Sequence, residues 1–186
     1  FAGALNGVAR RYGFREIDLA EMARLRGRPN REIMQALKVS PWKLPFIAAH
    51  IRKLAAEAAP SIDLFPGVAD MLRRLSARGV KVAIVSSNSE AVVRRVLGPE
   101  LAGLVAHYGC GASIFGKAAK FRQVIRAAGV ADADVLSVGD EVRDIEAARK
   151  VRLAAGAVTW GYATPEILQA QRPSAMFETT DDVLRE

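Results

Sequence analysis

Two acidic residues stand where an apolar segment gives way to a helix-like pattern. The segment VLSVG ends at Gly139, Asp140 follows it directly, and Asp144 lies one helical turn further on. Carboxylates at this spacing can face one point, and Mg²⁺ is commonly held by one or two carboxylates together with waters and substrate phosphate. Either residue can instead cap the helix that opens near Ile145, because acidic side chains favour helix starts. Glu141 can add charge to either arrangement.

Hydroxyl groups follow a second apolar segment, KVAIV. Ser86 ends that segment, and Ser87, Asn88 and Ser89 precede another helical pattern. A hydroxyl and free backbone amides at a helix start form a cradle for phosphate, because those amides lack partners within the helix and the helix dipole favours anions. Helix capping by Asn88 or Ser89 is the other interpretation, and one segment can do both.

A lysine opens a third predicted helix. Lys117 follows Gly116, and a cation at this position faces the positive end of the helix dipole. Such a placement is explained if the ammonium group faces an anion. Lys120, one turn later, is the competing candidate, but a lysine within a helix is usually solvated. We therefore prefer Lys117.

The segments that carry these residues alternate between strand and helix patterns. Short apolar runs predict strands near 80–85, 104–108, 135–138 and 155–159, and periodic segments predict helices over 68–78, 90–97, 118–128 and 145–151. This alternation predicts an α/β fold in which a parallel sheet is covered by helices on both faces. Ligand groups then gather at the carboxyl ends of the strands.

Residues 1–60 have a different pattern. Apolar residues recur at spacings of three and four throughout, and no segment there is a strand candidate. The turn-rich stretch around Pro60 and Pro66 is the only break in organisation. The sequence therefore predicts a small helical unit over 1–60 and an α/β unit over 61–186.

Composition excludes several classes of protein. Hydrophobic residues make up 51% of the chain and charged residues 25%, which is typical of soluble globular proteins. No apolar run approaches the ~20 residues of a membrane-spanning helix, so no membrane association and a cytoplasmic location are predicted. The single cysteine, Cys110, cannot form an internal disulfide.

The net charge of +7 raises the question of nucleic acid binding. Pairs of arginines such as Arg10 with Arg11 and Arg94 with Arg95 lie along helical patterns, without aromatic residues among them for base stacking. A solvated helix face is the better interpretation, so no nucleic acid partner is predicted. Positive charge also suits a small anionic substrate.

The three chemical motifs occur in an order that resembles the haloacid dehalogenase superfamily. Its second motif looks like AIVSSN with Ser86, its third like FGKAAKF with Lys117, and its fourth like VGDEVRD with Asp140 and Asp144. The stretch LFPGVADMLRRLSARGVKVAIVSSN is similar to the phosphoglycolate phosphatase branch, and so is AAGAVTWGY. In that branch LFPGV marks the return from a helical cap, which makes 1–60 the cap and 61–186 a Rossmann-like core.

The resemblance implies Mg²⁺-dependent hydrolysis of a small phosphomonoester, such as phosphoglycolate, through an aspartyl-phosphate. Ser86 and the Ser87 amide would hold the phosphoryl group, Lys117 would neutralise developing charge, and Asp140 with Asp144 would anchor the metal. The same scaffold also supports phosphosugar mutases. The alternative from another class is a non-catalytic protein that binds phosphate or a partner.

The cap carries a candidate specificity loop. LRGRPNRE, residues 25–32, resembles the loop with which this family selects substrates. Arg26, Arg28 and Arg31 are therefore candidates to meet an anionic substrate. The other interpretation is that these arginines are simply exposed to solvent.

Two departures from the family pattern stand out. The first motif, an aspartate-rich strand end with the nucleophile, is absent, and in relatives it stands just before the first cap helix. Either a piece upstream of this sequence carries it, or the protein is an inactive relative; the intact Ser86, Lys117 and acidic pair favour the first. Residues 1–186 alone are expected to be inactive. The second departure is Arg152, where relatives usually have alanine and glycine.

Overall fold

The computed structural model of the protein describes residues 2–28, 30–111 and 116–186. The described chain opens with helices only: α1 (Ala2–Tyr12), α2 (Leu19–Leu25), α3 (Asn30–Ala36) and α4 (Leu44–Ala58). Short 3₁₀ turns, Pro41–Lys43 and Ala59–Ser61, flank α4.

The N-terminal helices bury an apolar face of their own. Helix α1 packs against α4, and Val8, Ala9 and Ile47 are among the buried residues of this region. The Asn6 side chain donates to the Ile17 carbonyl at 2.9 Å and accepts from the Ile17 amide at 3.1 Å. These two bonds tie α1 to the segment that leads into α2, so the helices form a connected unit.

All described strand pairs are parallel. The strands are β1 (Val82–Val85), β2 (Val105–Gly109), β3 (Leu136–Gly139), β4 (Ala154–Val158) and β5 (Ala175–Phe177). β1 pairs with β2, while β4 lies between β3 and β5. Ser86 directly follows the end of β1, and Asp140 directly follows the end of β3. Each therefore lies at the carboxyl edge of its sheet.

Helices cover both sheets. They are α5 (Val68–Ala77), α6 (Glu90–Leu104), α7 (Lys117–Ala128), α8 (Val142–Lys150), α9 (Pro165–Ala170) and α10 (Thr180–Val183). Helix α7 packs against β1, β2 and α8, and α8 packs against β3 and β4. Ile145, Ala148 and Leu168 are almost fully buried in the cluster between α8, α9 and β4. Helix α7 thus links the two sheets.

One edge of β1 and one edge of β3 have no strand partner within the described part of the chain. Apolar side chains next to these edges are open to solvent: Val80 is 48% exposed, Leu136 37% and Val138 42%. Such residues in a parallel sheet are normally buried on both faces.

The predicted α/β fold with parallel strands is confirmed, although the described strands form two sheets where one was predicted. Most predicted elements lie within a few residues of those observed. Helix α8 begins at Val142 rather than near Ile145, and α6 continues past residue 97 through a kink at Gly98, where φ is 72°. Helices α9 and α10 and strand β5 were not predicted. Arg152, where the sequence departs from its relatives, has φ 62°, a left-handed conformation that glycine adopts more easily. The division at residue 60 stays a prediction.

Candidate active site

The segment after β1 has the backbone of a turn that leads into a capped helix. The Ser86 hydroxyl accepts a hydrogen bond from the Asn88 amide at 3.1 Å, and the Asn88 carbonyl accepts one from the Gly111 amide at 2.8 Å. Ser89 is the N-cap of α6 and accepts from the Val92 amide. The predicted capping role of Ser89 is confirmed.

Lys117 forms an ion pair with Asp144. It is the first residue of α7, and its Nζ atom contacts Oδ1 of Asp144. The Lys117 side chain is 19% exposed and that of Asp144 is 8% exposed. A carboxylate buried to this extent requires a charged or hydrogen-bonding partner. The ammonium group of Lys117 therefore faces an anion, as its position in the sequence suggested.

The second oxygen of Asp144 caps the helix that follows. Oδ2 accepts hydrogen bonds from the amides of Asp140 at 3.2 Å and Glu141 at 3.3 Å. Asp144 is the third residue of α8, so these bonds satisfy amides at the helix start. The capping interpretation is thus confirmed for Asp144, which also pairs with Lys117, and its role as a metal ligand stays a prediction.

Asp140 is held by the loop that follows β4. Its Oδ2 atom accepts from the Tyr162 amide at 2.8 Å, and its carbonyl accepts from the Ala163 amide at 2.9 Å. A Cβ atom on Gly161 would lie 2.1 Å from Cβ of Asp140, and one on Gly139 would lie 2.3 Å from Oδ2 of Asp144. The two glycines leave the space that the carboxylates occupy.

These carboxylates form a set of oxygen donors that fits a hard cation. Oδ1 of Asp140 accepts no hydrogen bond from the described residues, whereas both oxygens of Asp144 are engaged. Within 2–28, 30–111 and 116–186 there is no group of three or more His, Cys, Asp or Glu side chains that could hold a metal ion. Mg²⁺ needs no such group, since it commonly takes one or two carboxylates and completes its coordination with water and phosphate.

Glu141 and Arg143 form a second ion pair at the start of α8. Nε of Arg143 lies 2.6 Å from Oε2 of Glu141, and Nη2 donates to Oε1 at 2.6 Å. Burial raises the pKa of Glu141, and the hydrogen bond from Arg143 acts in the opposite direction. The charge that the sequence allowed Glu141 to contribute is therefore offset by Arg143.

A cleft of about 1090 Å³ lies between the helical unit and the sheets. Ser87, Asn88 and Lys117 line it, whereas Ser86 does not. Its other charged residues are Arg26, Arg28, Arg31 and Arg52 from the helical unit and Glu141, Arg143, Glu146 and Lys150 from the sheet side. Cations outnumber anions around the cleft, which favours a negatively charged ligand.

The three candidate arginines of the loop differ in their surroundings. Arg26 donates to the backbone carbonyls of Gly161 and Tyr162. Arg28 lies 3.8 Å from Glu32 in an exposed ion pair, and Arg31 lines the cleft and is exposed. Pro29 of this loop and Phe115 of the lysine motif lie outside the described residues.

Comparison with known proteins shows the family of this chain. A family model described as "Haloacid dehalogenase-like hydrolase" matches residues 1–158. This chain is a haloacid dehalogenase-like hydrolase. It is 35% identical over 181 residues to a phosphoglycolate phosphatase of Synechococcus elongatus, a match that covers 97% of this chain and 85% of that protein.

Solved structures show the same fold. A predicted phosphatase from Clostridium acetobutylicum superposes with a TM-score of 0.82 at 17% identity, over 99% of this chain and 88% of that one. A haloacid dehalogenase-like family protein from Streptococcus pneumoniae gives a TM-score of 0.76 at 18% identity, over 96% and 85% of the two chains. The predicted family, its phosphatase type and its Rossmann-like core are confirmed.

Some residues of the candidate site were missed in the sequence. Tyr162 supplies an amide to Asp140, Gly161 leaves room for it, and Arg143 pairs with Glu141. The stretch AAGAVTWGY was recognised as family-like, and its glycine next to an aromatic residue was the available signal for the first two. No helix among the described residues is long and apolar enough to cross a membrane. The cytoplasmic location stays a prediction.

Proposed function

We propose that this hydrolase releases phosphate from a small phosphomonoester with Mg²⁺ as cofactor, and that phosphoglycolate is the first candidate substrate. The observation that carries the proposal is the ion pair of Lys117 with Asp144. It joins Lys117, which lines the cleft together with Ser87, to a carboxylate that the cleft lining does not itself include. Cationic groups and a metal site around one point are what phosphoryl transfer needs, since its catalysis is mostly positioning and charge stabilisation.

Ser86, Ser87 and Lys117 would bind the phosphoryl group. The Ser86 hydroxyl accepts a bond from the Asn88 amide, so its own hydrogen remains available to a phosphate oxygen. Ser87 lines the cleft, and its amide would add a second donor. The ammonium group of Lys117 has three hydrogens, so it can hold Asp144 and a phosphate oxygen together.

Asp140 and Asp144 would hold the metal. Asp140 has the less engaged carboxylate and would be the direct ligand, while Asp144 would add charge and fix the start of α8. When bound, Mg²⁺ would neutralise charge on the phosphate oxygens. The glycines at 139 and 161 support this assignment, because any larger residue would displace the carboxylates.

The nucleophile would be an aspartate supplied by a further strand. Asp144 is unsuited to attack because its oxygens are paired with Lys117 and two amides. The open edges of β1 and β3 would each accept such a strand. Its carboxylate would attack phosphorus, the substrate oxygen would leave with a proton from an acid group, and water would then hydrolyse the aspartyl-phosphate. Residues 1–186 alone are therefore expected to be inactive.

The cap residues support a substrate with a second negative charge. Arg28 and Arg31 line the same cleft as Lys117, and the ion pair of Arg28 with Glu32 is exposed and therefore weak. Phosphoglycolate carries a carboxylate in addition to its phosphate. The Synechococcus relative is named for the same substrate.

Phosphate release from the full-length protein tests the proposal. With Mg²⁺, we expect hydrolysis of both phosphoglycolate and p-nitrophenyl phosphate, with a higher kcat/KM for phosphoglycolate. Turnover of p-nitrophenyl phosphate without that preference would support phosphatase activity and reject phosphoglycolate as the substrate. Absence of turnover with both compounds would reject the enzyme and favour the non-catalytic alternative, while an isomerised sugar phosphate product would indicate a mutase.

A matched pair of variants tests the metal residue. Asp140→Asn should abolish Mg²⁺-dependent turnover and keep the fold, because the asparagine carbonyl can still accept the Tyr162 amide. Asp134→Asn alters an exposed carboxylate just before β3 and should leave turnover unchanged. Equal activity of the two variants would show that Asp140 is not needed for turnover and would reject its assignment to the site.

A further inference from the structure

Arg26 joins the helical unit to the loop that follows β4. Its Nη2 atom donates to the Gly161 carbonyl at 2.7 Å, and its Nε atom donates to the Tyr162 carbonyl. The guanidinium group also lies over the Tyr162 ring, 5.7 Å from the ring centre. Three contacts from one side chain fix two consecutive peptide groups, which a planar guanidinium with several donors does well.

Gly27 brings the two backbones together next to these contacts. It is buried and has φ 76°. A Cβ atom at this position would lie 2.7 Å from Cβ and 2.9 Å from Cα of Ala163. No other residue fits without moving the turn away from the loop, so the turn at 26–27 is shaped for this contact.

The other side of the same loop holds Asp140. The Tyr162 amide donates to its carboxylate and the Ala163 amide donates to its carbonyl. The peptide group that joins Gly161 to Tyr162 is thus held at both ends, because its carbonyl accepts from Arg26 and its amide donates to Asp140. Consecutive hydrogen bonds thus connect Arg26 of the helical unit to the Asp140 carboxylate.

We propose that Arg26 is a positioning residue, which holds the 161–163 loop so that the Tyr162 amide orients the Asp140 carboxylate. The proposal rests on the proposed function in taking Asp140 as the metal ligand. Contact between the helical unit and the loop then sets the orientation of the metal ligand. Arg26 lines the cleft as Arg28 and Arg31 do, but among the described residues it is the one of the three that donates to the carbonyls of this loop.

Two measurements on the full-length protein test the coupling. Mg²⁺ affinity is measured by calorimetry, and amide hydrogen exchange is followed at residues 161–163. Replacing a direct partner of a metal ligand typically costs ~10–100-fold in affinity. Arg26 is one contact further away, so Arg26→Ala is expected to weaken Mg²⁺ binding by roughly three- to tenfold and to speed exchange of the Tyr162 amide by about the same factor.

Matched variants separate positioning from general stability. Arg24→Ala removes an exposed arginine from the same helix and should change neither readout. Arg26→Lys keeps the charge but loses the planar fork, so its values should lie between those of the unchanged protein and Arg26→Ala. Gly27→Ala keeps the Arg26 side chain but moves the turn that carries it away from the loop. It should therefore shift both readouts in the same direction as Arg26→Ala.

The proposal is overturned if Arg26→Ala and Gly27→Ala lower the melting temperature while Mg²⁺ affinity and exchange at 161–163 stay within about twofold of the unchanged protein. That pattern would make Arg26 a structural residue of the cap. Neither readout depends on turnover. An inactive protein that shows the coupling would reject the proposed function alone, and an active protein without it would reject the role of Arg26 alone.

Discussion

The buried ion pair of Lys117 and Asp144 should dominate the stability of the site. Lys117→Met would leave the Asp144 carboxylate with amide donors at 3.2 and 3.3 Å, which are long for N–H···O bonds. Removing one partner of a buried pair usually costs about 3–5 kcal/mol. The remaining amides and the 19% exposure of Lys117 reduce this cost, so we expect a loss of about 2–3 kcal/mol.

The reverse substitution should cost less. Asp144→Asn keeps an oxygen that can accept the two amides, and the ammonium group of Lys117 can regain water because its side chain is the more exposed of the two. We expect a loss of about 1–2 kcal/mol. The double variant replaces both charges by neutral groups of similar size, so its loss should be smaller than the sum of the single losses by about 2 kcal/mol.

The full-length protein and these three variants form a double-mutant cycle, and urea unfolding at one pH measures the free energy of unfolding of each. Lys120→Met serves as the control, since it removes a lysine from the same helix that makes no ion pair with the described residues. Its effect should stay below about 0.5 kcal/mol. Single losses that add to the double loss within about 0.5 kcal/mol would refute the coupling.

Three further predictions concern other parts of the chain. Arg152→Gly should raise the free energy of unfolding by about 1 kcal/mol in chemical denaturation, because Arg152 has φ 62° and glycine adopts that conformation without strain. Gly161→Ala should abolish turnover and Mg²⁺ binding by calorimetry, because its Cβ would lie 2.1 Å from Cβ of Asp140. The hydrogen bonds from the Thr179 amide and hydroxyl lower the pKa of Asp182. Its ionised form therefore adds stability above the usual aspartate pKa that is lost as pH falls through the lower value of the folded state. Thermal melts between about pH 7 and pH 2 should accordingly show Asp182→Asn less stable at neutral pH and equal to the unchanged protein at the acid end.

Residues that sit at strand ends were the ones that sequence reasoning could place. Ser86 and Asp140 follow short apolar runs, which places each at the carboxyl end of a parallel strand without any knowledge of side-chain contacts. Lys117 was predictable because a cation at a helix start is unfavourable without an anion nearby. These inferences rest on patterns within one segment of sequence, which do not depend on contacts with distant segments.

Contacts between distant segments were not predictable in this way. Arg26 and Gly161 are 135 positions apart, and nothing in the local pattern of either indicates the other. Strand β5 has only three residues, too short for an alternating pattern to stand out. The continuation of α6 was hidden by Gly98 and Pro99, which normally signal a helix end and here produce a kink.

The unpaired edges of β1 and β3 have a consequence for how the protein assembles. An open edge with apolar neighbours such as Val138 is a template for pairing with another chain. A strand that paired with either edge would complete a hydrogen-bonded ladder that the described strands leave open. Wherever such an edge stays unpaired, self-association through it competes with folding.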